Sequence, residues 1–503
     1  MDTIKRKRVA PKADEREGRS PGRLRGHLPF AGLFIVGLIL RVLVFNAYYP
    51  GMVFVADSLS YLKEARINLV LAGWHPVLYS LFLKPTLVFE KLAVVTALQH
   101  LMGLGIAVVL YLVLRRLDTP SWLAALGCTP VLLDGYQLSL EQHLMPETFF
   151  QSLLVGALGL LVYRSPPSAV STGLAGVLIA GAALTRYVGL AVLPCALLFL
   201  LIRRVHWTRL VAFALGVTLP LLGYGLWFKM AKGDLDVTDR NGYVLYGKVA
   251  TFAECEGVEL PRYEEQLCVD VPREERDHTY ARFKRRSPLR TFNVPDGVDK
   301  NAVLESFNSR FIRRQPGDYA AAAGADFLNF FEPRSWANAE NFVRWRFVER
   351  FEDAKGLPEP IERNEGSTPD RLGLDQEFRV VEPLAAFLHG YQSFVFAWGP
   401  LLALGSLLGL AGALWGPAGS GHIRSAALLF VLSGLALYLF CALFGAFRVR
   451  YYVTGLTTLM PAGGLGASLL LQRLRGLRGG PGDAPGGPGL QPRTARPGGA
   501  SRV

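Results

Sequence analysis

An all-α, polytopic membrane protein with about ten transmembrane helices is the fold class that this sequence predicts. Apolar runs recur along most of the 503 residues, and a run of about 18 or more apolar residues can cross the bilayer as a helix. Charged residues make up only 19% of the chain, whereas soluble domains carry about 25%. Lipid admits only helices and closed barrels, and the runs lack the period-two alternation of barrel strands. Helices are therefore favoured.

Ten runs are long or apolar enough to be interpreted as spans. They cover residues 30–49, 93–114, 121–138, 147–163, 170–185, 188–202, 210–228, 385–415, 425–445 and 452–471. Most arginines between the runs fall on the side of the N-terminus: Arg115, Arg116, Arg164, Arg203, Arg204, Arg209, Arg424, Arg473 and Arg475. Positive charge marks cytoplasmic loops, so the sequence predicts a multi-pass plasma-membrane protein with both termini in the cytoplasm.

The same pattern divides the chain into five parts. Residues 1–28 and 476–503 are charged or rich in Gly, Pro and Arg, which predicts disordered cytoplasmic tails. A first membrane module (29–228) and a second one (385–475) flank a polar segment, 229–384. Its length predicts a small extracytoplasmic domain of mixed secondary structure. The first run lacks a small-residue cleavage site after it, which favours a retained anchor over a signal peptide.

The net charge is +13, yet nucleic-acid binding is not favoured. The positive charge lies mainly in the N-terminal segment and in short loops, where membrane proteins keep cytoplasmic charge. The chain has no basic stripe with interleaved aromatic residues of the kind that binds single strands. The excess of Arg over Lys, with abundant Ala, Gly and Leu, is typical of a GC-rich bacterial genome.

The five cysteines fall into two groups. Cys128, Cys195 and Cys441 lie inside apolar runs and are interpreted as small buried residues. Cys255 and Cys268 lie in the polar segment, where an oxidising exterior would make them a natural disulfide pair.

Three arginines break the charge rule, because Arg186, Arg448 and Arg450 each lie at the outer end of a span. A single arginine there is compatible with a side chain whose head extends to interfacial water. Three at one face favour an anionic ligand, and the planar fork of arginine suits a phosphate.

Carboxylates gather at the same predicted face. They are Asp57, Glu64, Glu90, Glu141 and Glu147. Asp57 opens a segment, 57–72, whose apolar residues recur at helical spacing, which predicts an amphipathic helix on the outer membrane surface. Asp57 could simply cap that helix. Alternatively, it is a general base held at headgroup level, where a lipid substrate would present its reacting group.

Other polar residues of the outer segments are candidate ligands. His75 precedes Pro76, which is compatible with a turn or with a donor to a phosphate, and Trp74 and Tyr79 would anchor the segment at the interface. Lys84 is a second candidate cation. Glu141, His143 and Glu147 could together hold a divalent metal, although their spacing is not diagnostic.

The order of these features resembles the GT-C superfamily of membrane glycosyltransferases, which includes the protein O-mannosyltransferases and the lipid A aminoarabinose transferases. The resemblance rests first on the acidic start of the outer helix at Asp57. It rests also on the stretch from His75 to Tyr79, which is similar to the family's (His/Lys)-Pro-Pro-Leu-Tyr. The acidic turn 141–147 and the late stretch from Arg450 to Pro461 contribute to it as well. The outer loop around Cys255 and Cys268 is similar to that of phospholipid carrier-dependent glycosyltransferases. The chain departs from the family at Ser58, where a second acid is common, and at Val77, where the family has proline.

The resemblance implies an enzyme, a hexosyl- or pentosyltransferase. It would transfer a sugar from a polyprenyl-phosphate carrier to a glycan, lipid or protein hydroxyl outside the membrane, with inversion at the anomeric carbon. Asp57 would be the base, and His75, Arg186, Arg450 and Lys84 would bind the donor phosphate. No cofactor is expected apart from the divalent metal that Glu141, His143 and Glu147 could hold, and metal dependence stays open. Two other functions stay open: a transporter or flippase of lipid-linked sugars, and a non-catalytic partner in cell-envelope assembly.

Overall fold

The structure is a computed structural model. It describes residues 25–54, 57–67, 69, 75–89, 91–233, 240–276, 278, 281, 287–332, 345–350 and 378–478. Most of the two predicted tails, together with Trp74 and Glu90, lies outside the described residues. At the tails' inner ends, His27 hydrogen-bonds through Nδ1 to the hydroxyl of Tyr111 (2.7 Å), and the last helix continues to Arg478.

The first membrane module is a series of helices. They are α1 (Leu28–Ala47), α2 (Asp57–Arg66), α3 (Leu78–Thr86), α4 (Leu92–Arg116), α5 (Ser121–Leu133), α6 (Gly135–Gln142), α7 (Glu147–Val162), α8 (Ala169–Thr185), α9 (Val192–Ile202) and α10 (Trp207–Lys232). A 3₁₀ turn, Tyr187–Ala191, joins α8 to α9. The polar insert (residues 229–384) and the second module follow.

The described part of the polar insert folds as helices and turns and contains no strand, so the prediction of mixed secondary structure is wrong for these residues. Its helices are α11 (Asn241–Val249), α12 (Pro288–Thr291), α13 (Lys300–Arg314) and α14 (Pro316–Asn329). Apolar residues of α13 recur at helical spacing and pack on α11 around Tyr246, Phe307 and Phe311. Cys255 and Cys268 are joined by a disulfide.

The second membrane module contains α15 (Glu382–Phe394), α16 (Gly399–Trp415), α17 (Gly421–Phe444), α18 (Val449–Leu456) and α19 (Leu459–Arg478). The predicted single span 385–415 is in fact a pair of helices, α15 and α16, bent by 51°. Asp134 accounts for part of that break, because its carboxylate accepts the backbone N–H of Ala397 (2.7 Å) between the two helices.

Helices occupy all ten predicted spans, which confirms an all-helical, multi-pass membrane protein over the described residues. Five helices have the length and composition of a span, and the bent pair would make six. Five further apolar helices of the described residues are shorter: Leu78–Phe89, Ser121–Leu133, Glu147–Val162, Ala169–Thr185 and Tyr187–Ile202. The predicted span 121–138 ends early because Asp134 caps α6, where it accepts the N–H groups of Tyr136 (2.8 Å) and Gln137 (3.0 Å).

The predicted amphipathic helix 57–72 is a helix from Asp57 to Arg66. Its apolar face, which includes Tyr61, Leu62 and Ala65, packs against α3 and the start of α4 within one buried cluster. The helix therefore rests on protein along that face, and its packing holds Asp57 at one end of the helix bundle. We call this end, where Asp57, Arg186 and Arg450 lie, the Asp57 face.

Glycines allow α16 and α19 to pack closely. A Cβ atom on Gly412 of α16 would lie 2.8 Å from the carbonyl oxygen of Gly466 in α19, and one on Gly466 would overlap the backbone of Leu408. Both positions therefore require a residue without a side chain, and this contact supports the helix that follows Arg450.

Gly412→Leu should disrupt this contact and destabilise the protein by about 1–3 kcal/mol, because overpacking forces neighbouring backbones apart. The measurement is the thermal midpoint and the monomer yield of the purified protein in detergent. Gly105→Leu is the matched control, since Gly105 lies on a span with no neighbouring atom within 4 Å of its Cβ position. Equal behaviour of the two variants would contradict the packing argument.

Candidate functional site

Three of the predicted site residues meet at the Asp57 face. Asp57 forms an ion pair with the guanidinium of Arg450, although the two residues are 393 positions apart in the chain. The imidazole Nε2 of His75 lies 3.8 Å from the other carboxylate oxygen of Asp57. Asp57, His75 and Arg450 keep 18%, 21% and 23% of their side chains exposed, so a ligand can reach all three.

The charges around Asp57 control its protonation. Burial alone would raise the pKa of this carboxyl group, but the charges of Arg450, His75 and Arg186 and the hydrogen bond from Arg450 oppose burial. Together they lower the pKa from 3.8 to about 2. Asp57 is thus ionised at physiological pH, as a general base must be before it takes a proton.

A second ion pair lies beside the first. Arg186, the C-cap residue of α8, pairs with Glu147 in the first turn of α7. Glu147 is only 1% exposed. The guanidinium carbons of Arg186 and Arg450 lie over the ring of Tyr451, 4.7 Å and 5.2 Å from its centroid. The site therefore contains two cations and two carboxylates arranged around one aromatic ring.

Aromatic rings hold His75 in place. The ring of Tyr61 stacks on the imidazole with centroids 4.6 Å apart, and Tyr79 meets Tyr61 edge-on at 5.0 Å. The hydroxyl of Tyr79 donates to Gln99 Oε1 (2.7 Å). Tyr79, which was expected as an interfacial anchor, is fully buried and links α3 to α4.

The predicted cluster of Glu141, His143 and Glu147 does not assemble, and the described residues contain no group of three His, Cys, Asp or Glu side chains that could hold a metal. The three side chains are committed to different partners. Glu141 binds Arg41 (2.8 Å), His143 donates through Nδ1 to the carbonyl of Ser139 (2.7 Å), and Glu147 binds Arg186. Their closeness in sequence was misleading because α6 ends between them and the chain turns into α7.

Glu141 is instead the centre of a buried polar network. It is fully buried and accepts from Arg41 of α1, from His100 of α4 (2.9 Å) and from Gln137 of α6 (3.0 Å). The amide nitrogen of Gln142 donates to the backbone carbonyl of Tyr48 (2.7 Å), and the amide oxygen of Gln142 lies 2.8 Å from Nε2 of His100. Sequence reasoning missed this network. The available signal was Arg41 within an apolar run, since a charge inside the membrane is costly without a partner.

Two other predicted cations have different surroundings. Lys84 is exposed near the end of α3 and makes no ion pair with a described residue. It was a candidate because it follows His75 by nine residues, but its side chain lies on the exposed side of α3. Arg448 caps α18 and contacts Nδ1 of His278 in the polar insert (3.2 Å). Arg448 therefore connects the insert to the segment that carries Arg450.

Glu64 is the second carboxylate of α2 and lies seven residues after Asp57. It is 2% exposed and accepts a hydrogen bond from Ser80 of α3 (2.7 Å). Burial raises the pKa of Glu64 from 4.5 to about 7, against the opposing effect of the Ser80 hydrogen bond. Because protonated Glu64 is favoured in the folded state, the contribution of Glu64 to stability is greatest below pH 4.5. It falls as the pH rises from about 4.5 to 7.

Glu64→Gln should raise the thermal midpoint at pH 8, because it removes a buried carboxyl group that costs about 3 kcal/mol to ionise. Below pH 5 the same change should have little effect. The measurement is thermal unfolding in detergent at both pH values, with the exposed Glu256→Gln as the control. An effect of equal size at both pH values would contradict the argument.

Comparisons with known proteins give a likeness of structure but not of sequence. No family model matches the sequence, and no curated protein matches it. Among solved structures, the chain is similar to the crystal structure of ArnT from Cupriavidus metallidurans in the apo state, with a TM-score of 0.34 and 12% sequence identity. The match covers 90% of this chain and 79% of that chain. At this TM-score and identity the likeness carries no argument about chemistry, which we infer from the residues of this chain alone.

Proposed function

We propose that this chain is a membrane glycosyltransferase of the GT-C kind. It transfers a sugar from a polyprenyl-phosphate carrier to an acceptor hydroxyl on the extracytoplasmic side, with inversion at the anomeric carbon. The observation that carries the proposal is the meeting of Asp57, His75 and Arg450 at one face, beside Arg186. Such a transfer needs a base for the hydroxyl and cations for the departing phosphate, and this cluster supplies both.

The arginines suit the phosphate. Guanidinium groups offer paired N–H donors that match phosphate oxygens, and Arg450 is exposed enough to exchange Asp57 for a ligand. His75 adds a ring N–H donor on the other side of Asp57. A bound phosphate also brings negative charge close to Asp57, which raises the pKa of that carboxyl group and makes it a stronger base. Donor binding would therefore activate Asp57.

The transfer step is balanced in charge and in atoms. The acceptor oxygen forms a bond to the anomeric carbon, and its proton goes to Asp57. The bond between that carbon and the phosphate oxygen breaks, and the phosphate keeps the electron pair. Asp57 loses its negative charge as the leaving phosphate gains one, so Arg186 and Arg450 stabilise the products of bond cleavage more than the bound donor. Stronger binding to the transition state than to the substrate is what lowers the barrier.

An apolar groove suits the lipid part of a lipid-linked donor. It measures about 300 Å³ and lies between α9 and α17, with one side chain from α14. Its lining is apolar throughout: Pro194, Cys195, Leu198, Phe327, Leu432, Leu435, Ala436 and Leu439. The α9 wall follows Arg186 by a single 3₁₀ turn. A polyprenyl chain in this groove would bring its phosphate towards the arginines.

The test is cleavage of a labelled donor. Purified protein is incubated with a radiolabelled polyprenyl-phosphate sugar and a cell-envelope extract that supplies acceptors, and release of the free carrier phosphate is measured. A glycosyltransferase separates the sugar from its carrier. A flippase or an assembly partner leaves that bond intact, so an intact donor after incubation would contradict the proposal.

Asp57→Asn should lower the transfer rate at least about 100-fold, because loss of a positioned general base removes a factor of this size. The protein should still insert and fold. Turnover of the labelled donor is the measurement, and size-exclusion profile is the folding check. Asp270→Asn, which changes an exposed aspartate of the polar insert, is the matched control. Near-normal transfer by Asp57→Asn would remove Asp57 from the mechanism.

Arg450→Ala should raise the KM for the donor about 10- to 100-fold, the loss expected for a hydrogen bond between charged groups. Dependence on acceptor should change much less. The measurement varies the labelled donor at fixed envelope extract, and then the extract at fixed donor. An equal change in both dependences, or none in the donor, would argue against a phosphate role for Arg450.

A further inference from the structure

Tyr451 is a residue that the proposed chemistry does not use, yet it lies between the two arginines that it does use. Both guanidiniums lie over its ring, and Nη2 of Arg450 is 3.4 Å from its hydroxyl oxygen. An aromatic face attracts a cation by about 0.5–2 kcal/mol, more where water is excluded. One ring thus interacts favourably with two like charges that would otherwise repel each other.

The backbone that directly follows Tyr451 is held by two other helices. The hydroxyl of Tyr438 in α17 donates to the carbonyl of Tyr452 (2.7 Å), and the amide of Gln151 in α7 donates to the carbonyl of Val453 (2.8 Å). These bonds fix α18 against two spans. Packing therefore sets the backbone position from which the ring of Tyr451 projects, and a tyrosine side chain has fewer rotamers than either arginine.

The two arginines have unequal acidic partners. Glu147, the partner of Arg186, is 1% exposed, while Asp57, the partner of Arg450, is 18% exposed. Exchange of a buried partner would leave a buried carboxylate without compensation. Arg186 is thus a fixed cation, and Arg450 is the cation that can change partners. Tyr451 is the contact that both share.

We propose that Tyr451 is a positioning residue that holds Arg186 and Arg450 as one pair of donors for a single phosphate of the lipid-linked substrate. This role rests on the proposed function. The ring carries it, because the ring face contacts both guanidiniums. The hydroxyl contributes one long hydrogen bond to Arg450 only.

The test measures binding and turnover together. Titration calorimetry in detergent gives the Kd of farnesyl phosphate, with farnesol as the uncharged comparison, and the donor-cleavage assay gives KM and kcat. Tyr451→Leu should raise both Kd and donor KM about tenfold or more, as expected for two lost cation–π contacts, with a smaller effect on kcat. Tyr451→Phe keeps the ring and should stay within about threefold of the wild type.

Two further variants provide a matched control and a second test of the same contact. Tyr163→Leu removes a ring at the other end of α7 over which Arg116 lies at 5.7 Å, and it should leave Kd unchanged. Arg186→Lys keeps the charge but loses the planar group, and should weaken binding like Tyr451→Leu. Both changes weaken the same contact, the one between Arg186 and the ring of Tyr451. The loss of binding free energy in the double variant should therefore be smaller than the sum of the two single losses.

Three outcomes would overturn the role of Tyr451: wild-type Kd in Tyr451→Leu, equal weakening in Tyr451→Phe, or additive effects in the double variant. Each of these can occur while the wild type cleaves the donor, which leaves the proposed function standing. Absence of donor cleavage by the wild type would overturn the proposed function itself.

Discussion

The rest of the first membrane module depends on the hydrogen bonds and the ion pair that the buried carboxylate of Glu141 makes with three helices. That carboxylate joins α1 through Arg41, α4 through His100 and α6 through Gln137. Removing one partner of a buried ion pair costs about 3–5 kcal/mol, so these helices are tied into one unit. The backbone carbonyl of Glu141 also accepts from Gln99 (2.8 Å), whose side chain binds the hydroxyl of Tyr79. Through Tyr79 and Tyr61 the same unit reaches His75.

The Asp57 face combines elements that are far apart in the chain. α2 supplies Asp57, the end of α8 supplies Arg186, and α18 supplies Arg450 and Tyr451. Arg186 and Arg450 each have a carboxylate partner, so the charges of these four side chains cancel. A phosphate ligand changes that balance, and proton transfer to Asp57 changes it again. In the proposed chemistry Arg450 exchanges Asp57 for a phosphate, because that ion pair is partly exposed. The ion pair of Arg186 with Glu147 is buried and stays intact.

The polar insert contacts the segment that leads to Arg450 at the Asp57 face. Lys248 of α11 and Asp326 of α14 form an ion pair in which Lys248 is 2% exposed. Asp326 also accepts the backbone N–H of Phe447 (3.3 Å). Together with the contact of Arg448 with His278, this bond holds the segment 445–448 that leads into α18. The insert therefore helps to fix the position of Arg450, in addition to any contact that it makes with an acceptor.

The sequence by itself determined the helical class and the positions of the apolar helices, because a span depends on a local run of apolar residues. It also drew attention to Asp57, His75, Arg186 and Arg450, because charges beside apolar runs are exceptional. Only the tertiary structure decided which acid each cation contacts. It joined Asp57 to Arg450 across 393 positions, committed Glu141 to Arg41 and left Lys84 exposed. The physical reason is that ion pairing depends on how distant helices pack, and hydropathy along the chain carries no information about that packing.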